Sequence, residues 1–149
     1  MKVKVRDIPD AGLALVEEVA AEEIELEDSF FKSLTPLSVA ANIILAEEAV
    51  VANVEVSGKF ELTCGRCLEP FAVERNEHLD LYFEVDPQTE FIELGEDIRQ
   101  EMIMILSGIL LCGEDCRGLC QQCGTNLNHQ QCNCPPKVEE EPGGRGINI

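Results

Sequence analysis

The sequence is poor in aromatic residues and in bases. Its 149 residues include no tryptophan, one tyrosine and six phenylalanines, so aliphatic side chains must build most of the core. Eleven lysines and arginines stand against 29 aspartates and glutamates, which gives a formal net charge of -18 at pH 7. A chain this acidic repels phosphate backbones, which excludes DNA and broad, non-specific binding of RNA. We expect basic proteins as partners, and ribosomal proteins are one such class.

Long apolar runs are also missing. No segment approaches the roughly 18 consecutive apolar residues that a membrane-spanning helix needs. The first residues interleave charges with valine and lack the apolar stretch of a secretion signal. We therefore expect a cytoplasmic protein with no membrane attachment. Thiols stay reduced in that compartment, which favours metal binding over disulfides.

Cysteine, by contrast, is abundant. Six of the eight cysteines lie between Cys112 and Cys134, in a stretch with few residues that could build an apolar core. Thiolates around a metal ion would hold such a stretch, and closed sites of four cysteines are typical of zinc. The pair Cys120 and Cys123 is followed by Gly124, as in a zinc knuckle, and Cys64 and Cys67 repeat its spacing upstream. Two intervening residues let both thiols of a pair point at one ion.

The eight cysteines can divide into two metal sites of four. One division places Cys120, Cys123, Cys132 and Cys134 in one site, and Cys64, Cys67, Cys112 and Cys116 in the other. Spacing alone does not fix which thiols share an ion, or whether one or two ions bind. His129 lies among these residues and could replace a thiol, although an exposed loop histidine is the interpretation we favour.

Alternating apolar and polar residues predict an antiparallel sheet over residues 37–85, packed on one face. We expect a turn at Ser57 and Gly58, and the Cys64–Cys67 knuckle at a later turn between strands. Upstream, residues 1–5 are expected to form a short strand. For residues 12–26 the alanine and glutamate content allows a helix and Leu13 and Leu15 allow a strand, and we favour a strand followed by a turn. Phe30 and Phe31 are expected to anchor on the core.

A helix is predicted after the sheet, over about residues 94–107. Its apolar positions recur at helical spacing, with Glu96 and Asp97 near its start. Met102 and Met104 are interpreted as core residues rather than metal ligands. Residues 1–134 would form a single domain of the α+β class, and residues 135–149, rich in proline, glycine and glutamate, a disordered tail.

No catalytic constellation is evident. Neither histidine has a serine or cysteine partner in a recognisable nucleophile setting, and no glycine-rich phosphate loop is present. A thiol redox protein would need a βαβ context around Cys64 and Cys67, which the pattern does not favour. Lys59, Arg66 and Arg75 near the first knuckle are too scattered to predict an RNA contact. A metal-dependent or thiol redox enzyme and a direct RNA-binding zinc module remain the alternatives to a non-enzymatic protein.

The cysteine-containing motifs together resemble the YceD family, over about residues 37–134. The matching segments are Cys64-Gly-Arg-Cys67-Leu-Glu-Pro-Phe71, Leu111-Cys112, Asp115-Cys116-Arg-Gly-Leu-Cys120, Cys123-Gly-Thr-Asn-Leu-Asn128 and Cys132-Asn-Cys134. Two features depart from the family: Ser107 and Gly108 stand where a proline is common, and an acidic tail replaces a basic, apolar extension. Some relatives lack most of the C-terminal cysteines, which favours a structural role for the metal and directs attention to the first knuckle as a surface.

The resemblance implies a non-enzymatic factor that supports accumulation of large-subunit ribosomal RNA and ribosome assembly. It implies an antiparallel, partly barrel-like sheet with one main helix and a C-terminal, cysteine-rich, zinc-binding element. The expected partner is a basic ribosomal protein or assembly factor, with indirect association to the ribosomal RNA.

Overall fold

The structure, a computed structural model, describes residues 1–27, 29–47 and 49–135. The tail predicted to be disordered lies outside these residues, except for Pro135. The described part of the chain contains seven strands and one α-helix. The strands are β1 (Lys2–Lys4), β2 (Leu13–Val19), β3 (Phe31–Ser33), β4 (Leu37–Ala46), β5 (Ala49–Thr63), β6 (Pro70–Glu84) and β7 (Phe91–Glu93), and the helix is α1 (Leu94–Ser107).

Strand β5 is the centre of a five-stranded antiparallel sheet. It pairs with β6 along its whole length, from Ala49 opposite Glu84 to Thr63 opposite Pro70. On its other side, β4 pairs with the first part of β5 and β3 with the second, while β2 pairs with β4. The predicted antiparallel sheet is confirmed. No pairing between the described strands closes this sheet, so the partly barrel-like shape is not confirmed.

The turn predicted at Ser57 and Gly58 is wrong, because both residues lie inside β5. The glycine has a packing reason instead. A Cβ atom on Gly58 would lie 2.6 Å from Cδ2 of Leu37, which is fully buried. Close approach of this leucine to the β5 backbone, rather than chain reversal, accounts for the glycine.

The core lies between one face of the five-stranded sheet and helix α1. Period-2 alternation directs four apolar residues of β4 and six of β5 inward, and helical spacing directs the apolar residues of α1 toward the same core. The buried apolar side chains of these three elements are Leu37, Val39, Ala41, Ile43, Ala49, Val50, Ala52, Val54, Val56, Phe60, Leu62, Leu94, Ile98, Met102 and Leu106. Met104 is 70% exposed, so its assignment to the core is wrong. It lies two positions from Met102, which turns it to the opposite side of the helix.

The N-terminal segments follow the sequence pattern. Residues 2–4 form β1, which pairs with β7 just before the helix, and β2 is followed by a 3-10 turn over Ala21–Ile24. Phe31 is buried as expected, but Phe30 is 68% exposed, so only one of the two anchors on the core.

The end of α1 brings the chain to the first knuckle. Gly108 ends the helix, and its N–H bonds to the carbonyl groups of Met104 and Ile105. Two residues later the carbonyl of Leu110 accepts a 2.7 Å hydrogen bond from the N–H of Gly65. This bond ties the segment leading to Cys112 to the hairpin between β5 and β6. The predicted position of the knuckle at a strand-to-strand turn is confirmed.

Candidate metal centres

The two CxxC segments share one backbone conformation. In the first knuckle (residues 64–69), the N–H of Leu68 donates a 2.9 Å hydrogen bond to the carbonyl of Cys64. The N–H of Cys64 donates another of 2.9 Å to the carbonyl of Glu69. In the second knuckle (residues 120–125), the equivalent bonds, from Gly124 to Cys120 and from Cys120 to Thr125, are each 2.8 Å. Both segments therefore form the same tight turn, which turns amide groups toward the cysteine sulfurs.

The structure groups four cysteines at the first knuckle: Cys64, Cys67, Cys112 and Cys116, the first quartet. Their Sγ atoms all lie within 4.8 Å of one another. Cys64, Cys67 and Cys116 are buried, and only Cys112 is exposed. The backbone N–H groups of Arg66 and Cys112 point at the Cys64 sulfur, at 3.5 and 3.4 Å. These donors stabilise negative charge on that sulfur.

The thiols of the first quartet differ in acidity. Burial raises the pKa of Cys64, but backbone N–H donors outweigh burial and lower it to about 6. The adjacent Cys116 sulfur, with burial, raises the pKa of Cys112 to about 12. Four thiolates so close together repel one another, and a bound cation is what allows all four to be ionised at neutral pH.

The second quartet consists of Cys120, Cys123, Cys132 and Cys134, again with all Sγ atoms within 4.8 Å. Cys123 is exposed and the other three are half-buried. Backbone N–H groups of the knuckle lower the pKa of Cys120 to about 6. The Cys123 sulfur, with burial, raises the pKa of Cys134 to about 12. The electrostatics repeat those of the first quartet in a more exposed setting.

The geometry of the sulfurs suits a tetrahedral metal site. Zinc–sulfur bonds of about 2.3 Å place the sulfurs of a tetrahedron about 3.8 Å apart. The distances from Cys64 Sγ to Cys116 Sγ and from Cys67 Sγ to Cys112 Sγ are both 3.8 Å. A disulfide would require about 2.05 Å. The two quartets are the sets proposed from the sequence, and their role as metal ligands stays a prediction.

Backbone contacts join the second module (residues 117–135) to the first knuckle. The N–H of Leu119 bonds to the carbonyl of Arg66 at 3.1 Å. Gly118 has a φ of +71°, and a Cβ atom there would lie 3.0 Å from the same carbonyl oxygen. A side-chain contact lies beside this junction, where the Arg66 guanidinium donates a 3.2 Å hydrogen bond to the carbonyl of Cys116. Glycine is required at position 118 both by conformation and by space.

His129 belongs to neither quartet. Its Nε2 atom lies 3.0 Å from both carboxylate oxygens of Glu69, the last residue of the first knuckle. The side chain is 63% exposed, in agreement with the loop interpretation. Two of the basic side chains near the first knuckle already have partners within the chain. The Arg66 guanidinium donates to the carbonyl of Cys116, and the Lys59 ammonium lies 3.7 Å from the Glu74 carboxylate.

Two residues of interest were missed in the sequence. Leu68 has a φ of +59° and is 62% exposed, at the position that Gly124 occupies in the second knuckle. Aligning the two CxxC segments would have revealed this difference. Asn128 places its Nδ2 atom 3.5 Å from the Cys116 sulfur of the first quartet. No spacing rule signals that contact, because it depends on how the two modules pack.

Comparisons with known proteins agree on one family. The model of the family described as "Large ribosomal RNA subunit accumulation protein YceD" matches residues 52–143, more than half of the chain. The chain is also similar to "Large ribosomal RNA subunit accumulation protein YCED homolog 1, chloroplastic" of Arabidopsis thaliana, at 32% identity over 60 residues. That alignment covers 40% of this chain and 18% of the relative, so the chain spans only a fraction of the relative's length. No solved structure matches.

Among the described residues, no helix combines the length and the apolar character that crossing a membrane requires.

Proposed function

Since this chain belongs to the YceD family, we propose that it is a non-enzymatic factor that supports large-subunit ribosomal RNA accumulation and ribosome assembly in the cytoplasm. The family name implies the first part of this function. The chain would work by binding a basic protein partner, and its association with RNA would be indirect.

Both quartets are proposed to bind zinc in closed, structural sites. Four cysteine sulfurs satisfy the tetrahedral coordination of zinc and leave no position open for a water or a substrate. A catalytic zinc site keeps such a position, so the donor sets favour a non-enzymatic role. The first quartet would hold the segment after α1 against the β5–β6 hairpin, and the second would hold residues 120–134.

Charge favours a basic protein as the partner. The net charge of -18 would speed encounter with a basic surface and make binding sensitive to salt. It also opposes direct binding to ribosomal RNA, whose backbone is anionic. A basic ribosomal protein or assembly factor fits this electrostatic requirement.

Leu68 is the observation that supports the first knuckle as the contact edge. A leucine in the left-handed region costs about 1–2 kcal/mol, and glycine would avoid that cost. The Leu68 residue is 62% exposed, so its packing within the chain offsets little of this conformational cost. Backbone strain that does not serve folding is a mark of binding sites, and an exposed apolar side chain on a rigid turn suits an anchor in a partner's pocket.

The test is sedimentation of the tagged full-length chain from cell lysate, with the RNA of each fraction identified. The substitution Leu68→Asn removes the apolar side chain while asparagine tolerates a positive φ. We expect at least about a five-fold loss of co-sedimentation with large-subunit precursors, which corresponds to about 1 kcal/mol. The control Met104→Asn replaces another exposed apolar side chain, on α1, with asparagine and should leave co-sedimentation unchanged.

Two outcomes would contradict the proposal. The wild-type chain would migrate only as a small free protein, with ribosomal RNA unchanged when the protein is depleted. Alternatively, co-sedimentation would persist in Leu68→Asn and show no dependence on salt, which would remove the first knuckle and charge steering from the mechanism.

A further inference from the structure

Asn128 lies in the second module but contacts a sulfur of the first quartet. It belongs to the loop between Cys123 and Cys132 of the second quartet. Its Nδ2 atom lies 3.5 Å from Sγ of Cys116, and its Oδ1 atom accepts a 2.7 Å hydrogen bond from the N–H of Arg117. One side chain thus fixes the backbone beside Cys116 and donates to its sulfur.

The loop that carries Asn128 is shaped by the second module. Oδ1 of Asn126 accepts a 2.9 Å hydrogen bond from the N–H of Asn128. The N–H of Leu127 donates a 2.9 Å hydrogen bond to the carbonyl of Gly118. The loop begins at Gly124 and ends at Gln131, so both of its ends join cysteines of the second quartet. Closing that quartet around an ion restricts the loop to conformations in which Asn128 can reach Cys116.

We propose that Asn128 couples the two metal sites, so that a thiophilic divalent cation in the second quartet strengthens binding of the same cation in the first. The inference rests on the proposed metal binding and assigns Asn128 as a positioning residue. Because coupling between two binding sites is reciprocal, the first site strengthens the second by the same factor.

The physical basis is the hydrogen bond to a ligand atom. An N–H donor withdraws charge from a thiolate and fixes its orientation, and loss of such a partner typically weakens metal affinity about 10–100-fold. Asn128 can supply this effect only while its loop is held in place. The first quartet, more buried but dependent on this donor, therefore retains its metal best when the second quartet is also filled.

The test measures zinc occupancy of the first quartet in the full-length chain at buffered free zinc. A pulse of maleimide, followed by peptide mass spectrometry, reports protection at the exposed Cys112 separately from the second quartet. The substitution Asn128→Asp keeps an oxygen for the N–H of Arg117 but replaces the donor with an anionic oxygen. We expect about a ten-fold loss of first-site affinity, and a loss of the same sign in Asn128→Ala, which adds no charge.

The matched control is Asn42→Asp, which introduces the same charge at an exposed position of β4, opposite Asn53 of β5 and far along the sheet from both quartets. It should leave first-site affinity unchanged. Circular dichroism of each loaded variant checks that the sheet and helix are retained. An unchanged first-site affinity in a folded Asn128→Asp chain would overturn the inference.

A double-mutant cycle tests the coupling itself. Replacing Cys123 and Cys134 with serine disables the second quartet and should weaken the first site about as much as Asn128→Asp does. Combining the changes should add less than about a further three-fold, because Asn128 is already released. Losses that multiply to about 100-fold would show that Asn128 acts independently of the second site and would refute coupling. Absence of zinc from the wild-type chain would instead refute the proposed metal binding.

Discussion

The two knuckles have the same backbone turn in opposite surroundings. The first closes a hairpin of the central sheet, and its cysteine residues are buried, with exposed fractions of 0% for Cys64 and 2% for Cys67. The second lies in a segment whose only described strand-like pairing is the bridge between Leu119 and Asn126, and Cys123 is exposed. A common thiol motif can therefore be part of a core in one place and replace a core in another.

The two knuckles also differ in the residue that follows the CxxC pair, which is Leu68 in the first and Gly124 in the second. Gly124 takes a φ of +73° without strain, as expected where the local requirement is only to form the turn. Leu68 adopts the same region at a cost. The more buried site carries the strained residue, which is consistent with the proposal that the first knuckle carries a contact surface and the second supports it.

Loss of one cysteine ligand should give the largest difference in stability between the two sites. Cys64→Ser removes a fully buried sulfur from the first quartet and should lower the free energy of unfolding by at least about 3 kcal/mol, a fall in melting temperature on the order of 10 °C. Cys123→Ser, at an exposed ligand, should leave the sheet transition within a few degrees of wild type. Thermal melts followed by circular dichroism measure both. Equal losses would mean that the two knuckles support the fold equally.

A substitution at the junction tests how the modules are joined. Gly118→Ala places a methyl group against the carbonyl of Arg66 at a positive φ, and should cost about 2 kcal/mol. Its effect should include faster amide exchange at Leu119, whose N–H bonds to that carbonyl. Hydrogen exchange measured by mass spectrometry reports this. Unchanged protection of this segment would contradict the proposed packing.

Exchanging the residues after the two CxxC pairs gives the smallest effects, with opposite signs. Leu68→Gly should raise the free energy of unfolding by about 1 kcal/mol, since release of strain exceeds the added entropy of the unfolded chain. Gly124→Leu should lower it by about 1–2 kcal/mol through strain alone, because no atom of the described residues, apart from the chain neighbours, lies within 4 Å of the added Cβ. Denaturant unfolding of the zinc-loaded proteins measures both. A destabilised Leu68→Gly chain would show that Leu68 serves packing.

Local patterns in the sequence predicted the elements that bury regular faces. Alternation identified β4, β5 and β6, helical spacing identified α1, and the spacing of the cysteines suggested the division into two quartets that the sulfur positions match. These signals are periodic, and periodicity reports which face is buried.

Features that depend on contacts between distant segments could not be predicted in this way. Gly58 appeared to mark a turn, because its packing against Leu37 is not visible along the chain. The three-residue strands β3 and β7 are too short for a pattern and exist through pairing with β5 and β1. Asn128 gains its contact with Cys116 only when the second module packs on the first.

Native mass spectrometry of the full-length chain, purified without chelator, would show whether each of the two quartets of thiolates holds a zinc ion. We predict a dominant species carrying two zinc ions, and one zinc ion when Cys123 and Cys134 are replaced by serine. A metal-free chain whose mass is reduced by the hydrogens lost in disulfide formation would contradict the account.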